Sequence, residues 1–266
     1  MQTMVRKELK DNRRNLLIWI GAMLGMIAIG AAEYSVVVEA GDAIMELFES
    51  LPHVLAIVFG AEAIPDHTPP IGYYIMMYLW YCIIAFTHAA VLGATIISKE
   101  ERNRTAEFTF TKPFTRQDII TSKIIAAIVN VAIITLTALI GNLIMLVPKI
   151  EGESILSEIA ITLPSMFIVQ ILFLFIGLLF SAIFSSYGKA LSFSALFVAL
   201  SYFLMVIIKL IGTIDFLSVL TPFMYFTGTG VVENGISVLY ILLAVVIIVT
   251  AGYLTYYKYE SRDLHS

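Results

Sequence analysis

Cysteine is all but missing. Cys82 is the only one, so no disulfide can form within the chain. It falls inside an apolar run and reads as a small core hydrophobe. Charge is scarce as well: 14% of residues are Asp, Glu, Lys or Arg, 59% are hydrophobic, and the mean hydropathy is +0.92. Soluble domains carry about 25% charged residues, so this composition excludes one and indicates an integral membrane protein. Motifs for several chemistries are absent: there is no GxxxxGK[ST] loop, so the chain cannot itself bind ATP in the Walker manner. HExxH, CxxC and GxSxG are also absent, and no nucleic-acid partner is indicated. Lys and Arg are missing from residues 33–70, where every charge is a carboxylate. His53 and His67 lie in that acidic stretch without the tight spacing of metal ligands, so they read as loop polarity.

What is present is a set of long apolar runs. A helix needs about 20 such residues to cross a bilayer, and six runs qualify: 15–32, 71–97, 124–147, 163–184, 190–211 and 236–257. Residues 54–59 are apolar but bounded by Pro52 and Gly60, too short to cross. Pro164 is expected in the first turn of the fourth span, where a missing N–H costs least. Residues 214–235 are apolar but broken by Pro222, Gly228 and Gly230, which predicts a re-entrant or interfacial segment between the fifth and sixth spans. The sequence thus predicts a single all-α membrane domain over 1–266. Gly21 and Gly25 in the first span form a small-residue pair that permits close helix contact.

Residues 1–14 place Met1, Val5 and Leu9 on one helix face among five Lys and Arg. This fits an amphipathic helix in the headgroup plane or a basic flank of the first span. Orientation follows from the basic residues, fourteen of sixteen of which fall on one side of a six-span arrangement. Lys149 and Lys209 are the exceptions. The positive-inside rule then puts both termini and the loop between spans two and three in the cytoplasm of a plasma-membrane protein.

That loop, residues 98–123, holds six basic residues and its own helix signals. Ser98 with Glu101, and Thr115 with Asp118, fit the capping box, in which a hydroxyl and a carboxylate satisfy the first N–H groups of a helix. Pro113 separates the two segments. Charged side chains solvating a surface, with Phe108, Phe110 and Phe114 against headgroups, account for the loop equally well on composition alone.

The order Glu101, Thr105, Glu107, Pro113, Arg116, Lys123 resembles the signature of type-2 ABC exporter (ABC-2-type) permeases. Arg104 stands where many relatives have Gly, and Phe108-Thr109-Phe110 where they have Leu-Leu. The resemblance extends to the span count and the basic N-terminus, and favours the interfacial helix for residues 1–14. It implies a cytoplasmic coupling helix in which Glu101, Arg104, Thr105, Glu107 and Phe108 dock on a separate ABC ATPase dimer, with Pro113 and Arg116 fixing the return to the membrane. It further implies a second permease copy or paralogue, and no cofactor on this chain, ATP and magnesium belonging to the ATPase.

His88, Asn130, Asn142 and Gln170 are the polar residues expected along a substrate path inside the spans. Two other function classes draw on parts of the same sequence. Glu100-Glu101 near Arg104 suggests an intramembrane CAAX-type protease, but the spacing differs and His88 is the one membrane-embedded histidine available. A non-transporting immunity or assembly subunit is separated from a permease by whether an ATPase associates.

Overall fold

A computed structural model describes residues 1–40, 46, 50–63, 69–98, 115–152, 154–184 and 186–260. The described residues form helices and turns with no strand. In chain order they are α1 (Gln2–Ala40), α2 (His53–Phe59), α3 (Pro69–Ile96), α4 (Arg116–Gly141), α5 (Leu156–Ile183), α6 (Tyr187–Ile211), α7 (Gly228–Asn234) and α8 (Val238–Glu260). Among the described residues six helices are long and apolar enough to cross a membrane: α1, α3, α4 with its continuation to Lys149, α5, α6 and α8. The chain is an all-α integral membrane protein.

α3 and α5 form the centre. Residues 73–78 of α3 are buried without interruption, so this end of the helix is enclosed on every side, as a helix apolar all round requires. The two helices touch backbone to backbone at Gly93 and Gly177, where added Cβ atoms would come within 2.2 Å of the Leu174 carbonyl oxygen and 2.3 Å of the Ala90 carbonyl oxygen. Around this pair, α1 packs on α4, α8 on α5, and α6 on α3. The outward faces of α6 and α8 expose Leu200, Phe203, Val246 and Val249, the apolar surface a bilayer covers.

α3 is cross-linked by a ladder of tyrosines. The Tyr73 hydroxyl donates to the Gly30 carbonyl of α1 at 2.8 Å, Tyr78 to the Thr162 carbonyl of α5 at 3.0 Å, and Tyr81 to Asn142 Oδ1 at 3.4 Å. Tyr74 lies 2.6 Å from Thr162 Oγ1, which itself donates to the Glu158 carbonyl at 2.6 Å. The single Thr proton is thereby committed, so Tyr74 is the donor. These four tyrosines are therefore internal ties from α3 to its neighbours.

Several boundaries differ from the sequence reading. Residues 1–14 and 15–32 lie on one uninterrupted helix of 39 residues, roughly 58 Å long, and no proline or glycine occurs in residues 1–20 to break it at the junction. α5 begins at Leu156, seven residues before the apolar run, so Pro164 sits inside the helix rather than in its first turn. Polar Ser157, Glu158 and Thr162 hide that extension from an apolarity count. α4 loosens at its end into a π-helical turn over Asn142–Leu146 and a 3-10 turn over Val147–Lys149. Residues 214–235 form 3-10 turns at Asp215–Leu220 and Pro222–Met224, followed by α7. Thr221 Oγ1 donates to the Ser201 carbonyl at 2.6 Å, and Phe223, Tyr225 and Phe226 are buried, so this broken segment is folded back against α6 and α3.

Candidate coupling site

α4 starts with a closed capping box. The Thr115 hydroxyl accepts from the Asp118 N–H at 3.1 Å, and Asp118 Oδ2 accepts from the Thr115 N–H at 3.1 Å. Arg116, the first residue of α4, is half-buried. At the end of α3 the Ser98 hydroxyl donates back to the Ala94 carbonyl at 2.8 Å. Glu101, its expected capping partner, lies outside the described residues, as do Arg104, Thr105, Glu107, Phe108 and Pro113.

Directly beneath these two helix ends sits a buried ion pair. Lys123 Nζ lies 3.3 Å from Glu8 Oε1 and donates to the Ile96 carbonyl at 2.8 Å. Lys123 is 1% exposed and Glu8 5%. Two residues earlier on α4 the Thr121 and Tyr256 hydroxyls share a hydrogen bond of 2.8 Å, tying the end of α8 to the start of α4. The start of α1, the end of α3, the start of α4 and the end of α8 therefore meet at one end of the bundle, the arrangement that an even number of crossings demands. Removing one partner of a buried pair costs about 3–5 kcal/mol, because the other is left as an uncompensated charge.

The four polar residues expected along a path are all buried. Asn130 Nδ2 donates to the Ala126 carbonyl of its own helix at 2.7 Å, and Asn142 Nδ2 to the Ala138 carbonyl at 2.8 Å. Gln170 Oε1 accepts from Thr135 at 3.2 Å. His88 meets the Trp19 ring edge-on with centroids 5.6 Å apart, and its Nδ1 has no hydrogen-bond partner among the described residues. Asn142, which accepts from Tyr81, and Gln170 thus bond across helices, Asn130 bonds within its own helix, and His88 packs on Trp19.

None of the four lines the cleft at the opposite end of the bundle. That cleft encloses about 460 Å³, its open mouth included, between Leu79, Cys82 and Phe86 of α3, Met205 of α6, and Phe223 and Phe226. At its rim Lys209 is paired with Glu62, joining α6 to the turn after α2. No group of three His, Cys, Asp or Glu able to hold a metal occurs among the described residues.

The sequence profile described as "ABC-2 family transporter protein" matches residues 2–264, nearly the whole chain. The chain belongs to the ABC-2 transporter family. No curated protein matches it. As a member of this family it is a multi-pass permease subunit, a class that works with an ABC ATPase.

Two features of this ABC-2 permease escaped the sequence reading. One is Glu8, an acid in a basic arm that composition does not single out, which is the one buried charge there. The other is the backbone contact at Gly93, for which the spacing of Ala85, Ala89 and Gly93, four residues apart, is the available signal. At Gly21 and Gly25 an added Cβ meets nothing of this chain within 4 Å.

Proposed function

We propose that this chain is the membrane subunit of an ATP-driven exporter and that residues 98–123 couple it to a separate ATPase dimer. Family membership supports a permease, and the observation that carries the coupling assignment is the anchoring of that segment's two ends. Ile96 and Lys123 are held together by a hydrogen bond of 2.8 Å, so a docked ATPase would act on a handle gripped at both helix ends. Glu101, Arg104, Thr105, Glu107 and Phe108 are the docking residues in this reading, with Pro113 and Arg116 at the return. The chain has no phosphate loop, so ATP and magnesium are assigned to the partner.

The ATPase dimer closes on nucleotide and shifts the permease between inward- and outward-open states through contacts that differ between them. Two permease copies, identical or paralogous, flank the path. The segment and both termini lie in the cytoplasm of a plasma-membrane protein, a placement supported by the basic residues on that side. Cargo leaves on the acidic face. Co-purification of the chain with the product of the neighbouring ATPase gene tests the reading. Glu107→Lys and Arg104→Glu are expected to abolish ATPase retention and ATP-dependent transport. Retention of no ATPase by the unmutated chain, or full activity of both reversals, would overturn it.

A further inference from the structure

Lys123 joins three pieces of the chain that are distant in sequence. Its ammonium is shared between Glu8 of α1 and the Ile96 carbonyl at the end of α3, while its own backbone belongs to α4. The geometry points to Lys123 as a positioning residue that makes α1 move with both ends of the 99–114 segment, so that displacement of that segment is delivered along α1 to the far end of the bundle. This rests on the coupling role proposed for the segment.

Three observations carry it. First, Arg6, Lys7, Lys10, Asp11, Arg13 and Arg14 are exposed, and Glu8 alone among these charges is buried. Second, desolvation offsets most of the attraction in a buried ion pair, so such a pair adds little to overall stability; its best-attested use is fixing the local register of the elements it joins. Third, the Ile96 carbonyl belongs to the last turn of α3, where carbonyls lack partners within the helix, and an ammonium with three donors can serve it and Glu8 together. The link therefore selects one relative placement of α1, α3 and α4.

α1 is suited to carry what the link imposes. From Glu8 to Gly30 it rises roughly 33 Å without a break. At the far end it returns to the same two helices: Tyr73 of α3 donates to the Gly30 carbonyl, and Ile27 packs against Gly141 of α4. A rod held at both ends by the same pair of helices transmits a shift at one end to the other.

The test uses the full chain in lipid nanodiscs, alone and with its ATPase. Lys123→Met combined with Glu8→Leu replaces the pair by apolar groups and keeps the fold, whereas Lys123→Arg keeps the donors. The apolar pair is expected to raise amide exchange over residues 3–12 at least tenfold. In the complex it is expected to cut ATP-driven transport at least tenfold with the ATPase still bound and hydrolysing. Lys123→Arg is expected to keep both readouts near those of the unmutated chain. Unchanged exchange in the apolar pair would overturn the link, and raised exchange with undiminished transport would overturn its part in transmission. If the unmutated chain retains no ATPase, the coupling role falls and transmission falls with it; exchange in the chain alone then still decides whether Lys123 fixes α1.

Discussion

Gly93 and Gly177 face each other so closely that neither can carry a side chain. A Cβ on Gly93 would stand 2.2 Å from the Leu174 carbonyl oxygen, and the obstacle is backbone, which cannot rotate away. Gly93→Ala and Gly177→Ala are each expected to destabilise the bundle by about 1–3 kcal/mol or more by forcing the helices apart. Gly21→Ala, facing open space, is expected to stay within ~0.5 kcal/mol of the parent. Thermal unfolding of the purified chain, followed by loss of the monodisperse peak, checks the contrast; equal melting of Gly93→Ala and Gly21→Ala would contradict it.

Tyr74 and Thr162 are expected to respond unequally. Tyr74→Phe removes a donor and leaves Thr162 bonded to the Glu158 carbonyl, at a cost of ~1 kcal/mol. Thr162→Val leaves a buried tyrosine hydroxyl without its acceptor, which costs about 1–3 kcal/mol. Denaturant midpoints for the two variants should fall in that order.

The capping box at the start of α4 sets where the helix begins. Thr115→Ala and Asp118→Ala each expose N–H groups of the first turn and are expected to cost about 0.5–2 kcal/mol locally. Faster amide exchange at residues 116–119, with the rest of α4 unchanged, is the expected signature.

Topology is open to single-cysteine labelling on a Cys82→Ala background. Phe110→Cys is expected to react only with reagent given access to the cytoplasmic side, and Glu151→Cys only from outside. Labelling of position 110 from outside alone would refute cytoplasmic termini.

Apolar length made the six crossings legible, because burial in lipid demands it whatever the packing, and the Thr115-x-x-Asp118 cap was read correctly from local chemistry. The start of α5 was missed because Ser157, Glu158 and Thr162 satisfy their hydroxyls and carbonyls within the helix, which hydropathy does not register. Lys123 carried a family resemblance but no sign of its partner, since Glu8 lies 115 residues away and only the fold brings them together. His88, Asn130, Asn142 and Gln170, which the sequence suggests for a substrate path, are buried inside the bundle. Polarity alone did not distinguish a path lining from a set of interhelical and intrahelical bonds.

The π turn at Asn142–Leu146 bears on how the chain tolerates changes in length. A one-residue deletion inside any regular crossing rotates everything after it by roughly 100°, exchanging buried for outward faces. A π turn already holds one residue more than the surrounding helix needs. Loss of Ile144, which is 67% exposed, would convert the turn to ordinary α-helix and leave Leu146 and the following loop in register. Natural or engineered shortening of this permease should therefore be accommodated there and rejected elsewhere in α4.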